Sequence, residues 1–152
     1  MDKGGQDEKP KVVVDASVVA KWVIPGEPWD AQAERLKEKI VYGEVKAYAP
    51  TLLLYELASV ILKATSMHIL KFNDGVKAIE AIGQLGIDIQ PPSWNDMVEI
   101  LNITSTTGMT VYDSSYLHLS KRVGGKLITA DKELREKGKT VAKTLLLNEL
   151  NL

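Results

Sequence analysis

The chain has 152 residues, 19 Lys or Arg against 20 Asp or Glu, and no cysteine. That length suits one domain able to bury roughly 70% of the surface its unfolded form would expose, and the missing cysteines exclude a disulfide framework, a thiolate metal site and a cysteine nucleophile together. A net charge of −1 gives no overall attraction to nucleic acid, yet eight basic residues stand against three acids between Lys121 and Lys143, either a solvated helix face or an edge that meets phosphates.

In chain order, Met1 to Pro10 is polar, carries Gly4 and Gly5, and lacks the apolar run of a secretory signal, so a flexible tail is expected ahead of a single domain over residues 11–152. Lys11 to Val14 is short, β-branched and apolar on both parities, which predicts a strand buried on both faces of a parallel sheet. A helix follows from Ala16 to Ile24, stopped by Pro25-Gly26. The spacing of Ala33, Leu36, Ile40 and Val41 predicts an amphipathic helix over Asp30 to Tyr42.

Val45 to Ala49 reads as a short strand, and Pro50-Thr51 opens a helix to about Met67 that is apolar nearly all round. Such a helix is central or packed against another subunit. Further helices are expected over Asn73–Leu85, Trp94–Thr106, Asp113–Val123 and Lys132–Lys137, and further strands over Ile87–Ile89, Lys126–Thr129 and Thr140–Ala142. Strands alternating with helices predict an α/β architecture with a mostly parallel sheet. No apolar run is long enough to span a membrane, and a cytoplasmic location without membrane contact is expected.

In open parallel sheets, ligands bind beyond the carboxyl ends of the strands. Asp15 and Asp131 end two predicted strands, and Asp113 begins a helix. Each could equally be a helix N-cap. Glu56 is the lone acid between Leu52 and Leu62, where a buried carboxylate needs a partner: a bound cation, or else a lysine or solvent along an exposed stripe. Hard oxygen donors without a histidine or thiolate set point to Mg²⁺ or Mn²⁺ rather than zinc. His68 and His118 lack ligand spacing and read as core-edge or surface residues. No phosphate-binding glycine loop and no GxSxG elbow is present.

The segments VVVDASVVAKW, PTLLLYELASVILK, TVYDSSYLHLS and LITADKEL, in this order from Lys11 to Leu147, resemble the four signature segments of PIN domains, and most closely those of VapC-type toxins. The resemblance implies a PIN-like three-layer α/β/α sandwich and a metal-dependent endoribonuclease. It assigns the acidic quartet, catalytic and metal-binding, to Asp15, Glu56, Asp113 and Asp131. Ser17 and Thr129 would orient those carboxylates or their waters. It also implies a homodimer and a VapB-type antitoxin partner. Ser114 and Ser115 stand where some related nucleases carry further acids, and Glu133 is expected to face solvent, which leaves open one or two metals. From the charge excess, Lys121, Arg122, Lys132 and Arg135 are candidates for guiding the RNA backbone.

Four carboxylates sharing one pocket repel, so metal binding is expected to be linked to pH and stability. A phosphotransfer or receiver-like enzyme is the rival from another class, but the DxDxT pattern of haloacid dehalogenases is broken at Ser17. An RNA-processing nuclease outside any toxin system and a catalytically silent PIN-like binding module are two further rivals.

Overall fold

The computed structural model describes residues 8–26 and 28–151, so the first seven residues of the expected tail lie outside the described residues. The chain begins its sheet with β1 (Lys11–Val14), followed by α1 (Ala16–Val23) and α2 (Asp30–Val41). Then come β2 (Lys46–Pro50), α3 (Leu52–Ser66), α4 (Phe72–Gly83) and β3 (Asp88–Gln90). The second half contains α5 (Trp94–Thr107), α6 (Val111–Val123), β4 (Lys126–Thr129), α7 (Lys132–Gly138) and β5 (Thr144–Leu146).

The five strands pair in the order β3-β2-β1-β4-β5, and every pairing is parallel. Successive strand side chains point to opposite faces, and the three central strands fill both. Val12, Val14, Ala47, Ala49 and Ile128 join one core with Val18 and Val19 of α1, Leu36 of α2 and Leu53, Leu57 and Ile61 of α3. Val13 and Leu127 join the other with Ile103 of α5, Tyr116 and Leu117 of α6 and Leu134 of α7. The result is a three-layer α/β/α sandwich with helices on both faces of the sheet. Strand order reverses at β1, whose neighbours are β2 on one side and β4 on the other, so the crevice between the carboxyl ends of β1 and β4 is the topological switch point.

The last strand lies four residues beyond the expected Thr140–Ala142. Those residues instead turn back, with Val141 and Ala142 amides donating to the Gly138 carbonyl at 2.9 and 3.0 Å. The displacement follows from packing at Gly138, where an added Cβ would lie 2.9 Å from Leu117 Cδ2 and 3.1 Å from Thr144 Oγ1. The chain therefore leaves α7 beneath α6, and the Leu-rich run from Thr144 pairs with Leu127, Ile128 and Thr129.

The edge of the sheet at β3 is tied to the second helical layer by Asp96. Ser93 and Asp96 form a capping box on α5, with Asp96 N–H donating to Ser93 Oγ at 3.1 Å and Ser93 N–H to Asp96 Oδ2 at 2.7 Å. His118 Nε2 lies 2.7 Å from Asp96 Oδ1, and Arg122 donates to Asp96 Oδ2 at 3.0 Å and to Gln90 Oε1 at 2.9 Å. The Ser93 amide first, then His118, hold the buried Asp96 carboxyl well below the usual carboxylate range. A depressed carboxylate stabilises the fold above pH 3.8, and that contribution is lost as pH falls further. Asp96→Ala should cost roughly 2–3 kcal/mol in denaturant unfolding at pH 7, by stripping Arg122, His118 and the α5 cap of a partner. A variant as stable as the wild type would show the clamp to be idle.

Candidate active site

Parallel pairing of β1 with β4 aligns Val14 with Ile128, and the Asp15 amide continues the ladder by donating to the Ile128 carbonyl at 3.3 Å. This register sets Asp15 beside Thr129. Thr129 Oγ1 donates to Asp15 Oδ2 at 2.6 Å and accepts from the Asp131 amide at 2.9 Å. The single hydroxyl proton of Thr129 is committed to the carboxylate, and Ser17 Oγ lies 3.3 Å from Thr129 Oγ1, where its hydroxyl also lowers the Asp15 carboxyl. Ser17 Oγ in turn accepts from the Ala130 amide at 2.9 Å, and the Ser17 amide donates to Asp15 Oδ1.

Asp15 and Asp131 each also cap a helix, so the two readings open for them are compatible. Asp15 receives the Ser17 amide at the start of α1. Asp131 Oδ1 receives the Glu133 and Leu134 amides of α7 at 2.9 and 3.3 Å, while its Oδ2 has no hydrogen bond among the described residues. Asp113 differs. The α6 cap is Thr110, whose Oγ1 accepts from the Asp113 amide at 3.0 Å. The half-buried Asp113 carboxylate has the Thr110 hydroxyl as a hydrogen-bonding neighbour, too little to offset its burial. Glu56 does have a partner, which is neither a lysine nor solvent: Tyr116 Oη donates to Glu56 Oε1 at 2.6 Å from α6.

The electrostatics link these groups into a chain of repulsions. Burial pushes the Asp15 carboxyl up to about 6 against the lowering by Ser17 and Thr129, and Glu56 adds to the rise. Burial also raises Glu56, with a further contribution from Asp113, and raises Asp113, with a further contribution from Asp131. Burial and then Glu56 raise the Tyr116 hydroxyl, which stays protonated as a donor. Oxygen donors that raise one another and are only partly compensated by hydrogen bonds suit a hard divalent cation. Among the described residues no three acidic or histidine side chains converge closely enough to hold one ion, a spacing that unscreened like charges favour.

The four basic residues singled out by charge fall into two pairs. Arg122 belongs to the Asp96 clamp, and Lys121 shares a surface hollow with it. Arg135 pairs with both oxygens of Glu149 at 3.0 and 2.8 Å and with Glu136 at 2.6 Å, next to Lys132. A cavity of about 150 Å³ opens instead between the Gly108–Thr110 loop and α7, lined by Asp113, Asp131, Glu133 and Lys137. Glu133 is exposed, as expected, but borders this cavity. Sequence alone did not single out Tyr116 or Lys137. Tyr116 was legible only as a core aromatic, and Lys137 as one of several basic residues on α7.

The PIN domain family model matches residues 12–140. The chain belongs to the PIN domain family. This PIN domain is 30% identical to Ribonuclease VapC3 of Pyrobaculum aerophilum over 128 residues, 84% of this chain and 94% of that one, which sets it among VapC-like ribonucleases. The same fold occurs in PAE2754 from Pyrobaculum aerophilum, with 17% identity, 93% of each chain covered and a TM-score of 0.69. It occurs also in Mycobacterium tuberculosis VapC20, a Sarcin-Ricin loop cleaving toxin, with 11% identity, 84% of this chain and 95% of that one covered and a TM-score of 0.61. VapBC2 from Rickettsia felis, bound to a DNA fragment from its promoter, gives 8% identity, coverage of 90% and 98%, and a TM-score of 0.66. No helix among the described residues is long and apolar enough to cross a membrane.

Two outcomes follow from the Thr129 network. Thr129→Val should cost about 1–3 kcal/mol in chemical unfolding, because Asp15 Oδ2 and the Asp131 amide both lose their partner, while Thr129→Ser should recover most of it; equal stability of Val and Ser variants would dismiss the bridge. Because burial lifts Asp15 above the ordinary 3.8, the folded protein keeps a proton that the unfolded chain releases, and stability falls as pH rises from 3.8 to about 6. Thermal melts in EDTA should show this loss, on the order of 3 kcal/mol, and Asp15→Asn should flatten it. An unchanged pH profile in that variant would assign the loss elsewhere.

Proposed function

We propose that this PIN domain is a metal-dependent endoribonuclease, the toxin of a VapBC-type toxin–antitoxin pair, with Asp15, Glu56, Asp113 and Asp131 as its catalytic, metal-holding carboxylates. The observation that carries this reading is the half-buried Asp113 carboxylate beside Asp131, whose burial and like-charge neighbours outweigh the help it receives from the Thr110 hydroxyl. A folded protein gains nothing from such a group unless a ligand compensates it. The comparison with Ribonuclease VapC3 supports the same chemistry.

Mg²⁺ or Mn²⁺, when bound, would supply Lewis acidity to the phosphodiester and lower the pKa of an attacking water. Asp15 and Asp131 are the first choice for direct ligands. Thr129 and Ser17 fix the rotamer of Asp15, and the α7 amides fix Asp131 through one oxygen, leaving the other free to bind. Tyr116 steadies Glu56 through Oε1. Glu56 and Asp113 complete the set directly or through water. Outside the carboxylates, Lys121, Arg122, Lys132 and Arg135 guide the RNA backbone, with Arg122 and Arg135 doing so from within their intrachain pairs.

Homodimerisation is part of the proposal. Leu54, Tyr55 and Leu62 of α3 and Trp94, Val98 and Leu101 of α5 are all more than half exposed, an apolar surface of the kind that a second copy covers. The antitoxin is proposed from the Rickettsia felis VapBC2 complex, and a cytoplasmic site of action goes with an RNA substrate.

Cleavage of a mixed RNA pool should require Mg²⁺ or Mn²⁺, stop in EDTA, and fall below detection in both Asp15→Asn and Asp131→Asn. Undiminished cleavage in either variant would expose a contaminating nuclease and remove the assignment.

A further inference from the structure

Lys137 is the one basic residue that borders the cavity holding Asp113 and Asp131 among the described residues. It sits on the last turn of α7, with its Nζ 2.9 Å from Glu133 Oε1 one turn earlier. The bland account of such a pair is a solvated i,i+4 contact contributing a few tenths of a kcal/mol. That account explains the pair's geometry, but not its place on the wall of the carboxylate cavity. Asp113 acts on Lys137 and Lys137 on Asp113, so the ammonium is within electrostatic reach of that carboxylate. Arg122 and Arg135, paired with Asp96 and Glu149, line other hollows of the surface.

A phosphodiester that approaches Asp113 and Asp131 meets a cluster of negative charge, and Glu133 adds to it. A divalent cation, when bound, would relieve that repulsion, and a cation fixed in the protein would set the strand's path across the cavity. Lysine suits this task because its ammonium is a point charge on a flexible stem that can exchange partners.

We propose that Lys137 is an RNA phosphate-binding residue at the carboxylate site, and that Glu133 is its resting partner, from which the ammonium swings to a non-bridging phosphate oxygen when a strand enters. This rests on the ribonuclease reading and adds to it the residue that orients the strand on the α7 side. The exchange needs no proton transfer and no bond change. Its direction follows from burial: Glu133 stays exposed and is readily rehydrated when Lys137 leaves it.

The experiment measures binding apart from cleavage. A fluorescent single-stranded RNA oligonucleotide is titrated in EDTA with wild type, Lys137→Ala, Lys137→Arg and Glu133→Gln, over a range of salt, and kcat and KM are then measured with Mn²⁺. Lys137→Ala should bind about tenfold more weakly, and the slope of log affinity against log salt should shrink by roughly 0.7. KM should rise with little change in kcat. Lys137→Arg should restore affinity, and Glu133→Gln should tighten binding by removing both the tether and a like charge. A salt slope and affinity unchanged in Lys137→Ala, or an arginine variant no better than alanine, would overturn the assignment, as would wild type that binds no RNA. Wild type that binds RNA through Lys137 without cutting it would instead overturn the nuclease reading and leave the phosphate contact standing.

Discussion

The arrangement depends on the parallel pairing of β1 with β4, because that pairing sets Asp15 beside Thr129 and lets one hydroxyl join a carboxylate on one strand to the backbone of the other. Parallel neighbours must be joined by long crossovers, and the two strands are separated in sequence by most of the chain. Helices α1 to α6 are thus the connection that makes the crevice possible, and they also supply its walls. Glu56 arrives on α3 from one helical layer and Asp113 on α6 from the other. A shift of β4 by one residue would turn Thr129 to the opposite face and dissolve the bridge.

The same closeness brings electrostatic cost. Asp15 is almost wholly removed from water, and its hydrogen bonds only partly offset burial. Glu56 and Asp113 extend the repulsion outward, toward the exposed end at Asp131. Stability and ligand binding therefore pull the site in opposite senses, as is common where preorganised charge serves chemistry rather than folding. Tyr116, Ser17 and Thr129 limit the cost by giving two of the carboxylates one defined rotamer each.

The layered architecture was legible because the apolar residues of β1 and β4 occupy both parities, which only a sheet covered on both faces accommodates, and because Gly124 and the Pro50-Thr51 step mark helix ends plainly. The final strand was misplaced, since Thr140 to Ala142 is short and β-prone while the true strand sits in a leucine run without alternation. Only the tertiary contact between Gly138, Leu117 and Thr144 decides between them. At the site, acids at strand ends could be read from order alone. The Tyr116 contact with Glu56, sixty positions apart, could not. Nor could the capture of Arg122 by Asp96, since a basic residue's partner is set by side-chain reach in three dimensions.

The contrast between Asp131 and Asp113 has a consequence for comparing sequences. Asp131 closes the amide end of α7, so a copy of this gene drifting toward a non-enzymatic role would still be selected to keep an Asp or Asn there, for the helix alone. Asp113 has a weaker second employment, because Thr110 already caps α6 and Asp113 adds only a negative charge to its first turn. Loss of the acid at 113 would cost a domain retained only for its contacts less than loss of the acid at 131, and its presence is accordingly the more informative mark of a working enzyme among diverging copies.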